Sequence, residues 1–331
     1  MKKFKLFTTM LSFCFALAVL CFGVYAASTV DYTLSGNISY DVNDAYVNIV
    51  TKVYSSAEYY GNSGGYYANN LHQQVNNVLA GNVTGLNLVK TSETYNSTNA
   101  TTDPAVGGFE LGDLAFSSTS FTYIFVVEIT NLGDNTVYGY LDGYSISTSD
   151  TYSYKANSDQ FWTASNEVCY DLGKNETGKI VIAINPYDKT QAIAKKALNF
   201  LIKIECGNYS QSTHNLNKLT FKENGDGYSV KKNCTYSGTN SKFSGCIVVP
   251  STYNGKTVNK IEGSNDSMSA QYTTNGFANA GVTYLYIEEG VVEISGYAFY
   301  GNVIFNEIQL PDSCTNVNAN AFTGCTCTLA D

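Results

Sequence analysis

The chain has 331 residues, a formal net charge of −9, 14% charged residues, and more tyrosine (27) than lysine plus arginine (19). That length fits one or two domains. The acidic balance excludes nucleic acid and anionic membrane surfaces as natural partners, because both call for a basic face. Scarce proline among abundant glycine, asparagine, serine and threonine indicates an all-β extracellular protein with many turns rather than a cytosolic enzyme.

Residues 1–26 read as a signal peptide. Lys2, Lys3 and Lys5 precede an apolar run from Leu6 to Phe22, and Val24-Tyr25-Ala26 fits the small-x-small cleavage rule. Loss of those three lysines takes the mature chain to about −12. No second apolar run and no wall-sorting pattern comes later in the chain. The expectation is a secreted protein, extracellular or held non-covalently at the cell surface, with no membrane contact after cleavage.

Residues 27–207 show strand after strand: Val30 to Tyr40, Ala45 to Tyr54, Phe121 to Thr130, Lys179 to Asn185 and Leu198 to Cys206. Asn131 to Asn135 reads as a turn, with Val137 to Leu141 returning as the hairpin partner of Phe121–Thr130. Two packed antiparallel sheets, an Ig-like or jelly-roll β-sandwich, accommodate this set. The arrangement around "ITNLGDNTVYGYL" also resembles N-terminal domains of secreted Firmicutes surface proteins. One helix is predicted over Ala68 to Ala80, with Leu71, Val75, Val78 and Leu79 on one face and Gly81 as its stop.

Residues 208–217, "NYSQSTHNLN", are polar and turn-rich, and are expected to form a linker. A second domain is expected over 218–331, and Leu219 to Val230 reads as the hairpin that caps it.

That domain repeats. Gly276-Phe277-Ala278-Asn279 returns as Ala298-Phe299-Tyr300-Gly301 and as Ala321-Phe322-Thr323-Gly324, with the phenylalanines 22 and then 23 residues apart. Val282, Leu285, Ile287 and Ile294 map 23 residues on to Phe305, Ile308, Leu310 and Val317. A period of this length marks a leucine-rich-repeat solenoid, whose units bury one another because none can bury its own apolar face. Leu285, Ile287, Ile308 and Leu310 are expected inside. Tyr284 and Tyr286, then Glu307 and Gln309, alternate with them and form the candidate binding surface.

The stretches "IVVPSTYNGKTVNKI", "YIEEGVVEISGYAF" and "IQLPDSCTNVNANAFTGC" resemble BspA-type leucine-rich repeats of secreted and surface proteins, over roughly the last 85 residues. The resemblance implies adhesion to host or matrix proteins and to other cells. With the lysine-led leader it suggests a bacterial source.

Seven of nine cysteines lie beyond the leader: Cys169, Cys206, Cys234, Cys246, Cys314, Cys325 and Cys327. In an exported chain the candidate bridges are Cys169 with Cys206, Cys234 with Cys246, and Cys314 with Cys325 or Cys327, although connectivity is not readable from sequence. Cys325-x-Cys327 lacks a second pair at ligand spacing, so no metal and no cofactor is expected.

Catalytic motifs are poorly supported. Gly61-Asn62-Ser63-Gly64-Gly65 fits the nucleophile-elbow pattern between a strand and a helix, yet the chain lacks the alternation of a parallel hydrolase sheet. Ser229-x-x-Lys232 stands in a hairpin without companion motifs, and Glu288-Glu289 points to both sides of a strand end. His72 and His214 are the two histidines.

The chain therefore reads as a non-catalytic interaction protein. Its expected partner is a host or matrix protein or glycan, or another cell-surface protein, and it acts through the repeats. The alternatives are a subunit of an extracellular fibre or biofilm matrix and, third, a secreted carbohydrate-active enzyme.

Overall fold

The computed structural model describes residues 32–58, 67–97, 105–117, 119–148, 161–186, 196–233, 245–263 and 276–330. The signal-peptide reading, the Gly61–Gly65 motif and Cys234 lie outside the described residues.

The first half holds β1 (Tyr32–Asn43), β2 (Val47–Ser56), helix α1 (Tyr67–Leu79), β3 (Asn87–Thr91), β4 (Tyr95–Asn96), β5 (Ala105–Glu110), β6 (Leu114–Phe116), β7 (Thr122–Asn131), β8 (Val137–Thr148), β9 (Phe161–Ser165), β10 (Val168–Leu172), β11 (Thr177–Pro186) and β12 (Lys196–Cys206). One sheet runs β10-β8-β12-β1-β5, with β6 also on β1; the other runs β3-β2-β7-β11-β9, with β4 on β2. Their facing sides share one apolar core, with Ile38, Tyr40, Phe200 and Ile202 from the first sheet and Ile49, Phe125, Val127 and Ile182 from the second.

Two expectations are corrected. The sheets are not wholly antiparallel, because β1 and β12 pair in parallel. Nor is Val137–Leu141 the hairpin partner of β7. Strand β7 lies between β2 and β11, so both its edges are already hydrogen-bonded. The turn after it carries the chain across to the other sheet, where β8 pairs with β10 and β12. Asn131 holds that turn. Its buried amide donates to the carbonyls of Asn135 (2.7 Å) and Leu172 (2.9 Å), and its Oδ1 accepts from Gly133 N (2.9 Å).

The segment expected as a linker is folded and packed. It forms a 3-10 turn at Tyr209–Gln211 and a short helix α2 (Thr213–Leu216), capped by Ser212 Oγ accepting from Asn215 N. Tyr209 and Asn215 are fully buried.

The second half contains β13 (Leu219–Asn224), β14 (Gly227–Lys232), β15 (Gly245–Val249), β16 (Thr252–Tyr253), β17 (Lys256–Ile261), β18 (Val282–Ile287), β19 (Glu293–Ile294), β20 (Val303–Ile308), β21 (Asn316–Val317) and β22 (Thr326–Leu329). Strands β13 and β14 form the expected hairpin, turning at Gly225 in the left-handed region (φ 61°). Strand β14 then opens a parallel ribbon, β14-β17-β19-β21. On another side, β15 pairs with β18 and β20 with β22, all in parallel. Each coil thus adds one strand to each ribbon.

A phenylalanine column fills the coils. Phe277, Phe299 and Phe322 stack at 5.5 and 5.1 Å with nearly parallel planes. Leu285 and Ile308 are buried beside them, and Ile287 and Leu310 pack at their margin. Asn302 stitches neighbouring coils. Its Oδ1 accepts from Gly281 N and Val282 N, and its Nδ2 donates to Phe277 O and Phe299 O, all at 2.8–3.0 Å.

Candidate functional site

Tyr284 and Tyr286 do point away from the coil interior, as strand alternation requires, but they do not face solvent. Tyr284 is 1% exposed and Tyr286 is half-buried. A second apolar core covers them, built from α1 (Leu71, Val75, Val78), the outer faces of β7 and β11 (Ile124, Val126, Val181, Ala183), and Tyr209. The expected recognition surface is instead the seam between the coils and the two-sheet unit.

Polar groups fix that seam. Tyr284 donates its hydroxyl to Asn76 Oδ1 (2.9 Å), and Asn76 Nδ2 donates to Phe305 O (2.5 Å). The His72 ring lies flat on Phe305 with 4.2 Å between centroids and 9° between planes. Tyr170 of β10 meets Tyr286 edge-on at 4.8 Å. Burial holds the His72 imidazole down to about 4 and raises the Tyr284 and Tyr286 hydroxyls above the usual phenol range.

The former linker supplies the other half. Asn215 pairs with both backbone groups of Val248, donating to its carbonyl (2.8 Å) and accepting from its N–H (3.2 Å). Lys218 Nζ donates to Cys246 O at 3.0 Å and stands 4.0 Å from Glu167 Oε2, which accepts from Cys246 N at 3.1 Å. Burial raises the Glu167 carboxyl, and Lys218 and the Cys246 N–H offset part of that rise. Gly245 sits at φ 125°, and a Cβ there would overlap the Glu167 carboxylate, so this approach demands glycine. His214 packs 4.4 Å from the Tyr140 ring. Burial, together with Lys218, lowers it to about 4 despite Asp142 at 3.9 Å.

Glu307 and Gln309 are exposed, as expected. They lie one coil on from the tyrosines, of which the seam removes Tyr284 from solvent and leaves Tyr286 half-buried. The sequence carried a sign of this. "YIFVV" in β7 and "GCIVV" in β15 are apolar at every position or nearly so, and a strand apolar on both faces needs two covers. In β15, Ile247 and Val249 enter the coil core while Cys246 and Val248 enter the seam. His72 and Asn76, at i and i+4 beside the Leu71/Val75 stripe, mark a second buried flank of α1.

The six described cysteines are free thiols. The Cys169–Cys206 bridge does not form, because β8 lies between their strands. Cys169 faces Gly139 of β8, which faces Ile204 of β12 on its other side. Two strand spacings, roughly 9–10 Å, exceed the roughly 7 Å that a disulfide spans. Burial pushes the thiols of Cys169 and Cys246 up to about 12. Cys325 and Cys327 hydrogen-bond to each other, half-buried, with Cys314 packed against the same end of the coil core. Among the described residues no group of histidine, cysteine or carboxylate side chains could hold a metal ion.

The remaining motif residues have structural partners. Ser229 Oγ donates to Glu262 Oε1 (2.7 Å), and Lys232 Nζ donates to Ala278 O. Glu288 Oε2 accepts from Ser251 N (2.7 Å). Glu289 accepts from Asp312 N (2.9 Å) and Ser313 N (3.2 Å), which hold its carboxyl below the usual range.

Comparison with family models now bears on the coils: the BspA type leucine rich repeat region matches over 271–330, in six copies. Residues 271–330 are similar to BspA-type repeats. The match starts after the first coil, β15 to β17, whose sequence is the most divergent. Comparison with curated proteins gives no match. Among the described residues no helix is long and apolar enough to cross a membrane. The coils thus use β18, which carries Tyr284 and Tyr286, to dock the two-sheet unit of their own chain.

Proposed function

We propose that the protein is a non-catalytic secreted or cell-surface interaction protein, in which a β-sandwich and a BspA-type solenoid act as one unit. The adhesive associations of such repeats support this, as does the leader-like sequence at 1–26. One observation carries the refinement. Tyr284 is sealed in the seam and Tyr286 is half-buried there, so recognition falls to the sandwich and to the exposed rim at Glu307 and Gln309, not to the tyrosine face of the repeats. The non-catalytic part of the reading is supported by the two histidines, both packed among seam rings.

The test is binding of the mature chain to immobilised matrix proteins, glycans and cells, with cross-linking to map the contact. Cross-links are expected on the sandwich or the Glu307 rim. Contacts that map to Tyr284 or Tyr286 would reverse the refinement, and no binding to any surface would sink the proposal.

A fibre subunit is the second reading. It is favoured by β3, a sheet-edge strand exposed along its length, with Leu88 at 58% and Val89 at 48%. Concentration-dependent filaments in electron micrographs would select it.

A further inference from the structure

The geometry points to a saccharide-binding cleft at the β7–β8 end of the two-sheet unit, taking a neutral hexose or a short hexose oligosaccharide. This deepens the interaction reading and rests on it.

The cleft has a volume of about 310 Å³ and opens between the β1–β2 turn and the β7–β8 turn. That is at the small end of ligand pockets and suits one or two sugar rings. Tyr46 forms one wall. Its ring side lies against Gly133, with ring carbon Cδ2 3.5 Å from where a Gly133 Cβ would stand. The residue is nevertheless 58% exposed. A large aromatic ring backed by the chain and open to solvent is a stacking platform. The C–H face of a hexose, slightly positive, packs on the negative face of such a ring.

Polar groups suited to hydroxyls surround the platform. Asp44 and Asp134 are acceptors, and Asn135 offers both donors and an acceptor. Lys174 Nζ holds Asp134 Oδ1 at 2.6 Å. Two carboxylates beside one lysine disfavour anionic sugars, which leaves the neutral ones.

The cleft is preorganised. Asn131 fixes the turn from below through its bonds to Asn135 O, Leu172 O and Gly133 N. Leu132 N donates to Tyr46 O (2.7 Å), tying the two turns together. Cys206 Sγ donates to Asp44 O (3.1 Å), tying in the end of β12. Gly133 does not occupy the left-handed region, so its backbone does not demand glycine. A Cβ there would already touch Tyr46 at 3.5 Å, so a longer side chain would compete for the ring.

The experiment is calorimetric titration of the mature chain with neutral disaccharides (maltose, cellobiose, lactose), glucuronate and tetramethylammonium, with a matrix-protein panel run in parallel. A neutral disaccharide is expected to bind, and Tyr46→Ala and Gly133→Leu each to weaken it at least tenfold. Asp134→Asn, at a side chain too exposed to affect folding, is expected to weaken it several-fold. Preference for glucuronate or tetramethylammonium would overturn the assignment. So would neutral-sugar binding that Tyr46→Ala and Asp134→Asn leave unchanged. If matrix proteins bind and no neutral sugar does, the cleft assignment fails and the interaction reading stands. If nothing binds, both fail.

Discussion

The imidazole of His72 lies face to face on the ring of Phe305, 4.2 Å away, and its Nδ1 is buried without a hydrogen-bond partner. The two residues stand 233 positions apart, on α1 and β20, so the stack belongs to the seam alone. A neutral imidazole fits there as an aromatic plate; a charged one does not.

Acid should therefore loosen the seam. His72 is held down to about 4, against 6.5 when solvated. Between these values the unfolded chain binds the extra proton and the folded chain does not, so stability rises with pH. His72 contributes fully above about pH 6.5, and its contribution is lost as pH falls toward 4, by about 3 kcal/mol. His214 shifts in the same direction and adds to the slope. Urea unfolding at pH 7 and pH 5 should show the loss. His72→Phe should flatten the profile and hold or raise stability at pH 7, because it removes an unsatisfied buried polar atom. An unchanged pH slope in His72→Phe would contradict the account.

The phenylalanine column sets the strength of the coils. Phe299 lies between Phe277 and Phe322 and has no exposed surface. Phe299→Ala should cost about 3–5 kcal/mol. Phe322, half-exposed at the end of the column, should lose clearly less on truncation. Chemical denaturation of the two variants compares them directly, and equal losses would show that the column is not the organising element.

The coil positions Leu285 and Ile308 were legible in the sequence because a 23-residue period sets them on the same inward side. The period fails at two places: Phe305, 23 on from Val282, turns to the seam while Ile304 takes the inward place, and Val317, 23 on from the buried Ile294, is exposed. Which cover lies over Tyr284 was not legible from alternation. An outward-facing tyrosine has the same spacing whether water or another part of the chain meets it. The two-sided apolar runs of β7 and β15 held that information, but they do not say which segments pair. The path from β7 to β8 failed for a related reason. Asn131 to Asn135 reads as a turn either way, and only the occupied edges of β7 decide that the chain crosses between sheets. The cleft at Tyr46 draws on two turns and the end of β12, far apart in sequence, so no local motif announces it.

Asn302 should be among the least replaceable polar residues. It is 1% exposed and meets four backbone groups of two coils. Asn302→Ala takes the acceptor from two buried N–H groups, while Phe277 O and Phe299 O keep their backbone donors, Ala280 N and Asn302 N; the cost is about 2–4 kcal/mol. Asn302→Asp keeps the acceptor but removes both donors, and should recover little. Thermal unfolding checks both, and a near-wild-type Asn302→Ala would mean that water replaces the amide.

Thiol chemistry separates the cysteines by place. Cys169 and Cys246 are buried with raised thiols, so in the native chain they should resist iodoacetamide for as long as the seam and core stay closed. Cys327 is different. The hydrogen bond from Cys325 holds its thiol below the usual range, and the pair is only half-buried. It should be the first of the six described thiols to react, with Cys325 becoming reactive once its partner is alkylated. Mild oxidation should join Cys325 to Cys327 rather than to Cys314, because those two sulfurs already meet. Peptide mapping by mass spectrometry after timed alkylation reads the order, and early labelling of Cys246 would show that the seam opens in solution.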